Sequence, residues 1–207
     1  MSTHANAILD AALPNVPFDG WSMHTLEQAA QSLGLSPFEV KRAFPRGVVD
    51  AVNHFVICAN EQMIAGLPEN FTSLKIREKI TTAVMVRLRQ QLPHREAVRR
   101  ALAVYAMPWH AADGLQRSYD TVDAIWRAAG DTSLDYNFYT KRLTLAKVYS
   151  ATLMVWLNDD SPNLADTEAF LRRRIENVMQ FEKFKAKAKT ALGSLDQWMP
   201  SALRNKH

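Results

Sequence analysis

Apolar side chains recur every three or four residues along almost the whole chain, and alternating apolar and polar runs bounded by tight glycine turns do not occur. Ile76, Ile80 and Val84, for example, follow one another at a spacing of four, which is the spacing of a helix face packed on a core. With only 7 glycines in 207 residues, the chain also lacks the turns of a β-sandwich or barrel. The sequence therefore predicts an all-α protein.

Glycines and prolines divide this pattern into helices. A short helix ends at Gly34, and Ser36-Pro37-Phe38-Glu39 is a capping sequence that begins the next helix at Pro37, so the two form a predicted helix-turn-helix. Further helices are predicted over 48–67, 74–92, 95–107, 113–129 and 139–157, the last apolar all round and therefore central, and Asp166 is predicted to cap one more. The predicted domains are a degenerate helix-turn-helix unit over 1–47, a larger helical ligand-binding bundle over 48–180, and a basic amphipathic helix and tail over 181–207.

Residues that carry chemistry are scarce. The 6 histidines are not paired at metal-ligand spacing, and the sequence contains no glycine-rich phosphate loop, no nucleophile elbow and no His-Glu-x-x-His. The single cysteine, Cys58, excludes an internal disulfide. We therefore predict a non-enzymatic protein without catalytic residues, bound metal or cofactor.

The charge of the chain is concentrated at its C-terminal end. The formal net charge is +4, but residues 172–207 hold nine Lys/Arg and three acidic residues, which leaves the rest slightly acidic. From 181 onward the apolar residues share one helical face flanked by lysines, which is typical of a helix lying on an anionic membrane surface; packing on the protein's own bundle or on a dimer partner is the alternative. The predicted membrane-binding residues are Phe181, Phe184, Lys185, Lys187, Leu192, Leu195 and Trp198.

No apolar stretch reaches the roughly 18 to 20 residues that a membrane span needs, and the first residues do not have the pattern of a secretory or organelle leader. These observations predict a cytoplasmic protein that contacts the inner face of the cytoplasmic membrane peripherally.

Bulky aromatic and methionine residues concentrate in the second half of the bundle. All 5 tyrosines lie between residues 105 and 149. Such residues fill cores, but they also line apolar ligand cavities, and periodicity does not separate the two cases. The candidate lipid-binding residues are Met85, Leu88, Tyr105, Met107, Trp109, Trp126, Tyr149, Leu153 and Trp156.

A helix-turn-helix also suggests DNA binding, with Lys41 and Arg42 presented to a major groove. However, residues 1–55 carry three basic and five acidic side chains, and non-specific affinity for DNA comes from neutralising phosphates. DNA is therefore an unlikely partner, and a lipid-responsive transcription regulator is kept as the alternative function.

The segment Gly130-Asp131-Thr132-Ser133-Leu134-Asp135-Tyr136-Asn137-Phe138-Tyr139-Thr140-Lys141-Arg142 is specific enough to recognise. Together with Phe18-Asp19-Gly20-Trp21 and Trp156-Leu157-Asn158-Asp159-Asp160-Ser161, it resembles the ubiquinone-biosynthesis accessory family, the ninth of the Coq proteins. The resemblance extends from about residue 7 to residue 185.

This resemblance implies a fold like that of the TetR regulators, usually dimeric, with a relic helix-turn-helix and a lipid in the larger bundle. It implies a non-enzymatic protein that binds an isoprenoid lipid or phospholipid, contacts the membrane through a C-terminal helix and assists the demethoxyubiquinone hydroxylase. The surface that contacts the hydroxylase carries over to Asp135, Asn137, Phe138 and Tyr139. Phe138 stands where relatives often have tryptophan, so a contact through an indole N–H is absent.

Overall fold

The computed structural model describes residues 4–131 and 136–178, apart from the side chains of 136 and 137. Within these ranges every regular element is a helix, which confirms the all-α prediction. The helices are α1 His4–Ala12, α2 Val16–Asp19, α3 Met23–Ser32, α4 Pro37–Ala43, α5 Val48–Ala65, α6 Ile76–Gln90, α7 Arg95–Tyr105, α8 Ala111–Ala128, α9 Tyr136–Trp156 and α10, residues 165–178.

The predicted helix boundaries hold to within about three residues, because local signals set them. The Glu39 carboxylate accepts the backbone N–H of Ser36 at 2.9 Å at the start of α4, as the capping sequence indicates. Gly34, between α3 and α4, has a φ of 71°, a left-handed conformation that glycine adopts without strain. The turns at Leu92–His94 and Pro108–His110 are short 3₁₀ helices that separate α6, α7 and α8.

The N-terminal helices α1–α4 form a first core that also includes side chains from α5 and α7. Leu26, Val40 and Val52 are completely buried in it. Two polar contacts fasten this unit to α7: the indole N–H of Trp21 donates to the Ala97 carbonyl at 2.9 Å, and Arg100 donates to the Pro17 carbonyl at 2.7 Å. The helix-turn-helix region is therefore packed against the bundle.

The second core is built by α6, α8, α9 and α10, with Val84, Ile125 and Leu171 completely buried. The sequence predicted that the second half of α9 is surrounded on all sides, and this prediction is wrong. Met154 is 49% exposed, because the neighbouring helices cover only the inner faces of α9. One face of the helix thus stays on the surface.

The start of α10 is capped by residues other than the predicted Asp166. The buried Asp159 carboxylate accepts hydrogen bonds from the Ser161 N–H at 2.8 Å, from the Ser161 hydroxyl, and from the N–H and hydroxyl of Thr167. Asp166 instead donates its own N–H to Ser161 Oγ at 3.0 Å. The prediction failed because Asp159 reaches the helix across an intervening 3₁₀ turn, Pro162–Leu164.

Among the described helices, none combines the length and the apolar character required to cross a bilayer.

Asp159 makes the stability of the fold dependent on pH. Burial raises the pKa of its carboxyl group, but the hydrogen bonds from Ser161 and Thr167 outweigh burial and lower the pKa from 3.8 to about 2. The resulting stabilisation, about 2 kcal/mol, is complete well above the unfolded-state pKa of 3.8 and is lost as the pH falls through about 2. Asp159→Asn should therefore lower the free energy of unfolding by about 2 kcal/mol at pH 7.

Urea denaturation at pH 7 and at pH 3 measures this difference, which should shrink at the lower pH. The control is Asp160→Asn, whose carboxylate is 95% exposed in its ion pair with Arg95 and should cost less than about 1 kcal/mol. Equal effects of the two substitutions at pH 7 would show that the capping contacts do not stabilise α10.

Candidate functional site

An apolar pocket lies between α6, α9, α10 and the end of α8. Its volume is about 330 Å³, at the lower end of the range of roughly 300 to 1,000 Å³ found for small-molecule sites. We call it the α9–α10 pocket. Its apolar lining includes Ile80, Trp126, Leu145, Val148, Ile175 and Val178.

Trp126 is held at the edge of this pocket by Lys141. The indole N–H donates to the Lys141 carbonyl at 3.2 Å, and the Lys141 ammonium lies 5.5 Å from the centre of the indole ring. The Trp126 N–H is thus bonded to the Lys141 carbonyl, and the Lys141 ammonium is paired with Asp131. The apolar surfaces of both side chains are left to face the pocket.

Cationic residues border the apolar lining. An adjoining cavity of about 390 Å³ shares Thr144, Val148 and Val178 with the α9–α10 pocket and adds Lys147 and Arg174. Lys147 and Arg174 are exposed, and neither forms an ion pair among the residues described. An apolar interior with a cationic edge matches an amphiphile that has an acyl or isoprenoid chain and an anionic or polar head.

The structure does not bring the nine predicted lipid-binding residues together. Five of them line a separate and much smaller cavity of about 70 Å³, and Trp126 lines the α9–α10 pocket. Met85 is buried in the second core, whereas Met107 is 42% and Trp109 72% exposed. The five residues in the small cavity are Leu88, Tyr105, Tyr149, Leu153 and Trp156.

Sequence reasoning missed Leu145, Val148 and Ile175, which line the larger pocket. Their apolar spacing was visible, but it was interpreted as core packing. The signal that separates a pocket from a core is the size of the space between helices, and periodicity does not report that space.

The predicted partner-binding surface lies at the start of α9, next to the pocket. Tyr139 is 67% and Leu143 62% exposed, one turn apart on the same face of the helix. The Phe138 ring lies edge-on to Tyr139, with 5.1 Å between ring centres. Asp135 and the side chain of Asn137 fall outside the described residues, as do all seven predicted membrane-binding residues: Phe181, Phe184, Lys185, Lys187, Leu192, Leu195 and Trp198.

A buried arginine fixes this surface to α8. The Arg142 side chain is 2% exposed and bonds Asp123 at 2.6 Å and Asp131 at 3.0 Å. Its guanidinium also stacks 3.4 Å from the centre of the Phe138 ring and donates to the Phe138 carbonyl at 3.2 Å. Burial alone would lower the pKa of Arg142. The hydrogen bonds that its guanidinium donates to Asp123 and Asp131 outweigh burial, so the pKa is raised. We call these three charged residues the Arg142 clamp.

The described side chains form no metal-binding cluster. No group of three or more His, Cys, Asp and Glu residues there could hold a metal ion. Cys58 lies 3.6 Å from His54, but burial raises the pKa of the thiol and lowers that of the imidazole. Both groups are therefore held neutral, unlike the ion pair of a cysteine nucleophile.

Comparison with known proteins gives one consistent family. The COQ9 family model matches residues 111–182. The chain is 36% identical over 180 residues to the human ubiquinone biosynthesis protein COQ9, mitochondrial, covering 83% of this chain and 56% of that protein. The fission yeast Schizosaccharomyces pombe coq9 is 27% identical over 171 residues, covering 83% of this chain and 68% of that protein. The chain spans little more than half the length of its human relative.

A solved structure supports the predicted fold class. The TetR transcriptional regulator from Nitrosomonas europaea superposes with a TM-score of 0.68 over 84% of this chain and 97% of that one, at 22% identity. This likeness confirms the TetR-like helical fold. It carries no information on function, so the expectation that DNA is not a partner stays a prediction. The alternative, DNA binding through Lys41 and Arg42, which are exposed on α4, is equally untested.

The same relatives correct the predicted location. Those from human, rat, fly and fission yeast are all named as mitochondrial proteins, so the prediction of a protein at the cytoplasmic membrane is wrong. It rested on the missing leader pattern in the first residues, and such a pattern is a poor guide to where a chain resides.

The Arg142 clamp provides a test of how the surface is positioned. Arg142→Gln removes the buried cation between Asp123 and Asp131 and leaves each carboxylate with one more exposed partner, Arg127 or Lys141. The free energy of unfolding should therefore fall by about 3 kcal/mol, the lower end of the range for a broken buried ion pair. Urea denaturation measures this loss, and hydrogen exchange should show faster exchange of the amides in the first two turns of α9.

The matched control is Arg127→Gln, because Arg127 also bonds Asp123 at 2.6 Å but is 72% exposed. This exposed pair should be worth less than about 1 kcal/mol. If Arg127→Gln destabilised the protein as much as Arg142→Gln, burial of the clamp would not be the source of its strength.

Proposed function

The chain belongs to the COQ9 family, which supports a role in ubiquinone biosynthesis, and from this premise we propose that it is a non-enzymatic lipid carrier. In this proposal it binds an isoprenoid quinone precursor or a phospholipid and presents substrate to the demethoxyubiquinone hydroxylase at a membrane. The observation that carries the proposal is the α9–α10 pocket, apolar inside and cationic at its edge.

The size of the pocket defines how the lipid is held. A volume of about 330 Å³ encloses only part of a polyprenyl chain, so the lipid is partly enclosed and the rest stays outside. Burial of the first chain segments against Leu145, Val148 and Ile175 provides the affinity, since it removes apolar surface of both partners from water. The lipid can therefore be released without unfolding the bundle.

The cationic edge supports contact with an anionic membrane. On α10, Arg172, Arg173 and Arg174 are consecutive and exposed, and the basic amphipathic sequence of 181–207 begins seven residues after Arg174. Each cation near an anionic surface contributes about 1 kcal/mol, which is enough together for reversible attachment. In keeping with the names of the relatives, we take this membrane to be a mitochondrial one.

The exposed start of α9 supports a docking role beside the pocket. Aromatic side chains held rigidly at the surface are the usual anchors of protein interfaces, and the Arg142 clamp supplies that rigidity to Phe138 and Tyr139. Since Thr140 and Lys141 of the same turns line the pocket, an enzyme bound to Tyr139 would lie next to the lipid. The homodimer implied by the family resemblance stays a prediction.

Filling the pocket should remove the lipid. In Thr144→Trp the indole takes the place of a half-buried side chain that lines both the α9–α10 pocket and the cavity beside it. The amount of lipid per chain, measured by mass spectrometry of an organic extract of the purified protein, should fall at least tenfold.

Leu143→Trp is the matched control, because Leu143 is the preceding residue but is 62% exposed. It should keep the wild-type lipid load, and circular dichroism should show both variants folded. Equal lipid loads in the two variants, or no lipid in the wild-type extract, would contradict binding in this pocket.

Tyr139 should be needed for the hydroxylase and not for the lipid. Loss of a central aromatic anchor typically costs about 2 kcal/mol or more, so Tyr139→Ala should weaken binding of the purified hydroxylase by a factor of about thirty. Binding is measured by surface plasmon resonance, and the lipid load is measured in parallel.

Met154→Ala is the control, because Met154 is 49% exposed on the same helix but lies about 22 Å farther along its axis at 1.5 Å per residue. Its affinity for the hydroxylase should equal that of the wild type. Wild-type affinity in Tyr139→Ala would exclude this surface as the docking site.

A further inference from the structure

The small cavity of about 70 Å³ inside the bundle has an unusual lining. Its wall is mostly apolar, with residues such as Phe55, Leu88 and Leu153, but it also contains two arginines, Arg87 and Arg117, and no carboxylate. Arg117 is paired with Asp120 at 3.1 Å, outside this lining. Buried cations are normally paired, since an isolated charge is poorly solvated in an apolar interior.

Arg87 is the buried cation of this cavity. Its side chain is 6% exposed, and within the described residues it forms no ion pair. Its Nε donates to Asn60 Oδ1 at 3.0 Å, and its guanidinium lies 5.9 Å from the centre of the Tyr149 ring. Because Thr121 also donates to Asn60 Oδ1, at 3.1 Å, that amide does not depend on Arg87.

Three further polar groups of the lining have no hydrogen-bond partner. They are the indole N–H of the fully buried Trp156, the Nε–H of Arg117 and the amide oxygen of Gln91, which is 3% exposed. Two of these groups donate hydrogen bonds and one accepts. Unpaired polar groups at this depth are rare in folded proteins and indicate a missing ligand or missing water.

We propose that this cavity binds a small oxyanion with a free hydroxyl, such as a singly protonated phosphate group. The oxyanion would neutralise Arg87, accept from Trp156 and Arg117, and donate its hydroxyl to Gln91. The volume of about 70 Å³ holds about five water-sized groups, which is enough for the four oxygens of a phosphate around their central phosphorus. Water alone could satisfy Trp156 and Gln91, but it would leave the Arg87 charge uncompensated.

The oxyanion has two possible sources with the same chemistry, a free phosphate ion or the head of an anionic lipid. The inference goes beyond the proposed function, because this cavity and the α9–α10 pocket have no lining residue in common. Lipid binding in the pocket and oxyanion binding in the cavity can therefore be tested separately.

Isothermal titration calorimetry on the full chain in phosphate-free buffer tests the proposal, with inorganic phosphate and dihexanoylphosphatidic acid as probes. The wild type should bind at least one probe. Arg87→Met should weaken binding at least tenfold, because a hydrogen bond to a charged group is lost, and its thermal midpoint without ligand should be no lower than that of the wild type.

A second variant supplies the missing negative charge covalently. Gln91 is the C-cap residue of α6, four residues after Arg87, so Gln91→Glu places a carboxylate within reach of the guanidinium. It should abolish binding and raise the thermal midpoint without ligand. The control is Arg89→Met on the same helix, since Arg89 is exposed and paired with Glu168; its affinity should match the wild type.

Each result has a defined meaning. Binding of phosphate identifies a free ion as a ligand, and binding of phosphatidic acid alone identifies a lipid head. If neither probe binds the wild type, or if Arg87→Met and Gln91→Glu bind as tightly as the wild type, the oxyanion site is refuted. A lipid load that persists in the α9–α10 pocket would then leave the proposed function intact.

Discussion

The contact between Arg142 and its two aspartates determines how the rest of the candidate site is arranged. It joins the start of α9 to Asp123 on α8 and to Asp131 just beyond it. With that end fixed, one face of α9 presents Tyr139 to solvent, and the opposite face lines the α9–α10 pocket. A single buried cation thus orients both the docking surface and one wall of the lipid pocket.

Two buried arginines of this protein differ in whether a carboxylate compensates their charge. Arg142 is buried with two carboxylates and raises stability, whereas Arg87 is buried without a carboxylate and lines a cavity. Because an unpaired buried charge is unfavourable, Arg87 is explained by ligand binding better than by folding. At the surface, Lys147 and Arg174 border an apolar opening, and neither pairs with an acid in the part of the chain that the structure describes.

Much of the fold could be predicted from the sequence, because local signals set it. The capping contact between Ser36 and Glu39 and the stripe from Ile76 to Leu88 define helices without reference to distant residues. The cap of α10 was mispredicted because Asp159 acts across a 3₁₀ turn, and the exposure of Met154 depends on which helices surround α9. The site was harder to predict, since whether Leu145 lines a pocket or fills a core depends on the distance between helices.

In the proposed function, the lipid lies between α6, α9 and α10. Photo-crosslinking tests it most directly: the purified chain is loaded with an isoprenoid quinone that carries a diazirine in its first isoprene unit, irradiated and analysed by peptide mass spectrometry. We predict adducts on residues 76–80 of α6 and 144–148 of α9, which line the pocket. Adducts restricted to α1–α4, or spread over the whole surface without enrichment on α6 and α9, would contradict the claim.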